Sequence, residues 1–380
     1  MKILLLCWRD TDHPQGGGSE RYLERVADFA VAHDHQVIYR TASYPGAPHR
    51  SIRDGVTFLR FGGRYSVYVT AAIEMLLGRY RDVDIVVDTQ NGIPFFAKWW
   101  IRKPTIVLTH HCHREQWPVA GPVLARVGWF LESRLAPIAY RRSQYVTVSE
   151  PSALELAGLG VARSRIAIIR NGVDPVPEFA RLHADGRIHL VTLSRLVPHK
   201  QIEHAIDVVA ALATQHDVVL DVIGSGWWEQ ELWDYATSVG VGDRVIFHGH
   251  LDETEKHAVL DRAQLHLMPS RKEGWGLAVI EAGQHAVPTI GYRNSAGLRD
   301  SVIDGETGVL VADKAALIRE VFDLLRSPER AAEMGEAARR RSESFSWQQT
   351  GADFLALLVK VAQKQVPSTS GSTPGDTATA

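Results

Sequence analysis

Two glutamates, Glu273 and Glu281, stand eight positions apart around a Gly274-Trp275-Gly276 turn. The apolar run from Leu277 predicts a buried helix. A helix start offers unpaired amides and a partial positive charge, so it favours a bound anion. Gly274 and Gly276 would let a ligand approach the backbone. Glu273 then precedes the helix and Glu281 lies about two turns inside it. Carboxylates so placed would flank an extended ligand with an anionic middle, such as a nucleotide-sugar: sugar hydroxyls at Glu273, diphosphate at Trp275, Gly276 and Leu277, ribose diol at Glu281. Arg195 and Lys200 directly follow the apolar run 189–194. A planar guanidinium fork and a compact ammonium there could neutralise a leaving diphosphate, or be ordinary solvated bases.

The elements that position these residues alternate. Strands are predicted at 3–8, 36–41, 56–61, 84–88, 104–109, 145–149 and 163–170, then at 189–194, 218–223, 245–247 and 265–268. Helices are predicted at 22–32, 71–77, 229–239, 314–325 and 328–342. Such alternation predicts parallel α/β sheets, whose ligands lie beyond the carboxyl ends of the strands. Asn91, His110 and His111 fall at such ends in the first half. Gly16, Gly17 and Gly18 follow the first strand and open a helix, a phosphate-friendly unit that is not G-x-G-x-x-G. His110, His111 and His113 surround Cys112, but consecutive residues of an extended segment point to opposite faces, so no metal site is expected. Ser149 is placed as a helix N-cap.

The stretch 268–311 resembles the donor signature of the retaining glycosyltransferases of family four: P-S-x-x-E-G-F-G-L-x-x-x-E-A, then G-x-P-V and a D-G-x-x-G-x-L-V tail. Trp275 replaces Phe, Gly283-Gln284-His285-Ala286 replaces Met-Ala-x-Gly, and Ala296-Gly297 replaces two glycines. Arg195 and Lys200 match the family's G-R-L-x-x-x-K-G, with Ser194 and Gln201 at its two glycines. Thr109-x-His111 matches T-x-H, and Asn171-Gly172-Val173-Asp174 the turn closing the first domain. The resemblance implies two Rossmann-like domains facing a central cleft, the GT-B arrangement. Their expected limits are 1–175 and 187–345, joined by a linker at 175–186. A last helix at about 346–365 returns to the first domain, and 366–380 reads as a disordered tail. It implies metal-independent, retaining sugar transfer from a UDP- or GDP-sugar, which is substrate rather than cofactor, to a glycan, lipid-linked or small-molecule acceptor. Glu273, His111, Arg195 and Lys200 would act at the reacting centre. Gly16, Gly17, Gly18, Gly274, Trp275, Gly276, Leu277 and Glu281 would hold the donor.

Bulk properties agree. The 380 residues are 45% apolar and 23% charged, with 42 basic and 44 acidic side chains, so nothing points to nucleic acid. Two cysteines make no disulfide framework. The start lacks a signal peptide's long apolar core, and the expected place of work is the cytoplasm. The segment 116–142, rich in aromatics and carrying Arg126, Arg134, Arg141 and Arg142, suits either a packed helix bent at Pro137 or a contact with an anionic membrane at the inner face of the plasma membrane. A glycoside hydrolase, a nucleotide-sugar epimerase of related fold and a non-catalytic nucleotide-sugar-binding protein are the alternatives; a hydrolase needs its two carboxylates closer together.

Overall fold

The computed structural model describes residues 1–114, 117 and 121–364; the expected tail and part of the segment 116–142 lie outside these. Eight strands form the first sheet: β1 Lys2–Leu6, β2 Gln36–Thr41, β3 Arg50–Arg53, β4 Val56–Arg60, β5 Ile85–Thr89, β6 Thr105–Leu108, β7 Gln144–Thr147 and β8 Ile166–Ile168. Their order is β3-β4-β2-β1-β5-β6-β7-β8. Six more form the second: β9 Ile188–Leu193, β10 Val218–Ile223, β11 Val245–Gly249, β12 Leu265–Met268, β13 Thr289–Tyr292 and β14 Gly308–Val311, in the order β11-β10-β9-β12-β13-β14. The central strands are buried on both faces, which is why they read as unbroken apolar runs.

All pairs are parallel except β3 with β4. That hairpin was missed, although Asp54-Gly55 marks it. Both residues have positive φ, 51° and 81°, as a two-residue hairpin turn requires.

The helix Trp347–Gln363 crosses back and packs on Gly18–Ala32. Phe354 and Leu358 join Tyr22, Leu23 and Val26 in one apolar cluster. The same cluster takes in Trp275, Val279 and Leu298 from the second half together with Trp347, so the two sheets share part of a core. Gly172 lies where a Cβ would collide with the backbone at Trp347, so the two chain crossings run against each other.

The arginine-rich segment is helical over Pro122–Phe130 and Ala136–Ala139, with one wide turn, Leu131–Leu135, between. Pro137 lacks the N–H that would reach Ser133, so the ladder loosens just before it. Its inner side packs: Gly128, Glu132, Ser133 and Ala136 are buried. Trp117 donates to Glu132 Oε2 at 2.7 Å.

Candidate active site

The candidate residues gather where the carboxyl ends of the two sheets face each other. From the second sheet, β12 runs into Ser270 and the loop carrying Glu273, and the helix Leu277–Gln284 starts at the end of that loop. Gly276 caps it at φ 102°, ψ 61°, a conformation open to glycine alone without strain. Gly274 is glycine for a different reason. A Cβ there would lie 3.2 Å from His111 Nδ1 and 3.3 Å from the His110 carbonyl oxygen. His111, at the end of β6, therefore lies against the Glu273 loop from the opposite domain, and Ser149 Oγ, the N-cap of Glu150–Gly158, donates to the Gly274 carbonyl at 2.6 Å. Lys272 pairs with Glu155 across the same boundary at 2.7 Å.

Three expectations change. The helix begins at Leu277, so Glu281 lies little more than one turn inside it rather than two. Trp275 turns its ring into the core, packed edge-on to Phe345 at 4.8 Å, so only its backbone faces the cleft. Lys200 and Glu273, expected on either side of the diphosphate–sugar bond, pair directly, with Lys200 Nζ 2.6 Å from Glu273 Oε1. His110 also departs from the cleft: buried, it meets Tyr22 edge-on, and desolvation followed by His113 pushes its pKa down to about 4.

Arg195 lies on the cleft wall, its side chain open to solvent on one side and packed against protein on the other. Desolvation, then neighbouring Arg9, hold its pKa below the usual arginine value, while Glu20 and Glu273 oppose that shift. Arg9 and Glu20 were not anticipated. Arg9 stacks 4.1 Å over Trp8, donates from Nε to the fully buried Glu20 carboxylate at 3.2 Å and also bonds the Gln15 carbonyl. Glu20 Oε2 in turn accepts from the Gly17 amide at 2.9 Å. These bonds fold the loop carrying Gly16, Gly17 and Gly18 back over β1. A Cβ on Gly16 would sit 2.9 Å from two carbonyl oxygens, whereas Gly18 opens onto space at the start of its helix. The Glu three positions after the glycine cap was the sequence signal for this bond.

The substitutions at two of the family's glycine positions now have a geometry. Gln201, where the family has glycine, has φ 51°, ψ 42°, and Ala286, at the family's other glycine, has φ 55°. Gly297 keeps its glycine, because a Cβ there would meet the Glu273 carbonyl oxygen at 2.5 Å. Among the described residues no group of three or more His, Cys, Asp or Glu side chains could hold a metal ion.

Residues 16–176 match the family described as Glycosyltransferase Family 4, and residues 178–341 that described as Glycosyl transferases group 1. The chain is 32% identical to a GDP-mannose-dependent alpha-(1-6)-phosphatidylinositol monomannoside mannosyltransferase of Mycolicibacterium smegmatis, over 91% of this chain and 95% of the relative. It is 37% identical to a glycogen synthase of Mycobacterium tuberculosis over 56% of this chain and 52% of that protein. Among solved structures it superimposes on a sucrose-phosphate synthase from Thermosynechococcus elongatus with a TM-score of 0.81 at 19% identity, covering 96% of this chain and 100% of that one.

Proposed function

The chain belongs to the GT-B glycosyltransferases of family 4, and from that premise we propose that it moves a hexosyl group from a UDP- or GDP-sugar to an acceptor hydroxyl, with retention, in glycolipid or cell-envelope glycan synthesis. The observation that carries this reading is the Lys200–Glu273 pair, formed at the loop that leads into the helix Leu277–Gln284 and within electrostatic reach of Arg195. Breaking the bond from sugar to diphosphate builds negative charge on the leaving phosphate and positive charge on the sugar carbon. Lys200, Arg195 and the helix-start amides would stabilise the first, and Glu273 the second, all fixed before the bond breaks. The leaving phosphate would accept the acceptor's proton, so no protein base is obligatory. His111 would contact the sugar from the opposite wall.

The name of the Mycolicibacterium smegmatis relative makes GDP-mannose the first donor to test and a lipid-linked polyol the first acceptor. One surface supports a lipid. The helix Ser66–Leu76 leaves Val69, Ile73 and Leu76 exposed, and the helix Pro122–Phe130 leaves Val123, Leu124, Val127 and Phe130 exposed. Both helices connect strands in the same direction along the first sheet, so right-handed crossovers put both on the face opposite Gly18–Ala32. Arg64, Arg79, Arg126, Arg134, Arg141 and Arg142 are exposed around them. Apolar side chains within a basic rim suit an anionic bilayer surface. Among the described residues no helix is long and apolar enough to cross a membrane.

Thermal-shift measurement with a panel of UDP- and GDP-sugars tests the donor class, since a ligand of the folded state raises the melting temperature. A shift with none of them would remove this reading.

A further inference from the structure

Glu281 is not alone on its helix face. Lys256, on the helix Glu253–Arg262, places Nζ 2.8 Å from Glu281 Oε1 and 2.8 Å from Glu253 Oε2. Its side chain is only 8% exposed. A lysine so desolvated needs compensating charge, and the two carboxylates supply it, raising its pKa against the effect of burial. The chain of charges continues across the cleft: Glu253 accepts from Arg21 Nη1 at 3.2 Å, and Arg21 also pairs with Asp174. Arg21 stands one turn after the Gly16-Gly17-Gly18 loop. Glu281 Oε2, on a side chain 13% exposed, has no hydrogen-bond partner among the described residues. One carboxylate oxygen is thus fixed by the ammonium and the other is left for a ligand to engage.

We infer that Lys256 is a positioning residue for nucleotide recognition: by holding Glu281 Oε1 it aims Oε2 at the ribose hydroxyls of the donor. The inference rests on the assignment of Glu281 to the ribose diol. Two physical needs meet in the lysine. A glutamate has three side-chain torsions, and the ion pair removes their freedom before the ligand arrives. A carboxylate beside an incoming diphosphate would repel it, and the buried ammonium offsets that repulsion.

The test compares affinities of the full-length protein for GDP and UDP with those for their 2′,3′-dideoxy counterparts, by titration calorimetry. The ratio of the two is the readout, because lost folding or lost overall charge weakens both ligands alike. The wild type should prefer the ribonucleotides by roughly 10- to 100-fold, as expected for a hydrogen-bonded pair to a charged group. Lys256→Met should bring that ratio close to one, and Lys256→Arg, which keeps the cation, should retain most of it. A Lys256→Met protein that keeps the wild-type ratio would overturn the proposal, whatever its absolute affinity. Glu281→Gln tests the underlying assignment separately. If Glu281→Gln keeps the preference, or if the wild type shows none, the ribose assignment fails and the role of Lys256 with it. If Glu281→Gln abolishes the preference and Lys256→Met does not, only the role of Lys256 fails.

Discussion

Lys200 Nζ and Glu273 Oε1, 73 positions apart in the chain, lie 2.6 Å apart at the carboxyl ends of β9 and β12. The pair joins the cation expected at the diphosphate to the carboxylate expected at the sugar. A bound donor would separate the partners' duties, with Lys200 turning to phosphate and Glu273 to sugar hydroxyls.

It follows that Glu273→Gln should lower turnover by about 100-fold or more, while affinity for free nucleoside diphosphate is unchanged or higher, because Lys200 loses its competitor for phosphate. Single-turnover kinetics with calorimetry of the free nucleotide would check this. A parallel loss of nucleotide affinity would place Glu273 at the wrong end of the donor.

Arg195→Ala and Lys200→Ala should each reduce kcat by more than they raise KM, because charge grows on the leaving phosphate only as the bond breaks. Steady-state kinetics across donor concentrations decides it. A rise in KM with kcat intact would make both residues uniform binders. The same assay with a chelator should show full activity; loss restored by a divalent ion would contradict a metal-independent reaction.

Gln201→Gly and Ala286→Gly should each stabilise the protein. Both positions are left-handed, at φ 51° and 55°, which costs an L-residue about 1–2 kcal/mol; the extra unfolded-state freedom of glycine returns roughly 0.5–1 kcal/mol of that. The net gain is about 0.5–1 kcal/mol each, read from denaturant midpoints. A loss of stability would mean that the side chains contribute more than the backbone strain costs.

Stability should fall as pH drops from about 6.5 toward 4. Burial is the main cause that pushes His110 down to about 4 and His266 down to about 3, so both fold in the neutral form. A histidine with a lowered folded pKa gives stability that is present above the unfolded value and lost as pH falls toward the folded one. Each contributes a slope of at most about 1.4 kcal/mol per pH unit. Buried Asp88, raised to about 6, works in the opposite sense: its contribution is present at low pH and lost as pH rises through that value. Denaturation at pH 5 and pH 7.5 measures the balance, and His110→Phe should flatten it; an unaltered slope in that variant would remove His110 from the account.

Binding to anionic vesicles at low salt, reversed by high salt and weakened by Arg126→Gln with Arg134→Gln, is expected of the exposed helical face. Sedimentation without binding at low salt would leave that face unexplained and direct the search to a soluble acceptor.

Much of this was legible in the chain. The buried strands announced themselves as apolar runs, and β2, β10 and β12 begin and end where their residues predict. Glu273, Gly276, Arg195 and His111, which the fold brings to one cleft, were singled out because each follows a strand end or belongs to a spaced motif. What was hidden depends on long-range packing. No spacing connects Lys200 to Glu273, Lys256 to Glu281, or Arg9 with Glu20 to Arg195, since each approach is set by the sheets and not by the local chain. Trp275 read as a ligand contact because it stands inside the spaced motif; only its packing on Phe345 shows the ring inside. Gln201 and Ala286 showed as departures from the family's glycines, but only the backbone angles show that both positions are left-handed.

The most direct test of the central claim is to incubate the protein with GDP-mannose and a membrane extract containing lipid-linked acceptors, follow nucleotide release, and determine the anomeric configuration of the product by NMR. The account predicts release of GDP that depends on acceptor and on Glu273, with a product of the same anomeric configuration as the donor. An inverted product, or no nucleotide release from GDP-mannose or any other UDP- or GDP-sugar, would contradict it.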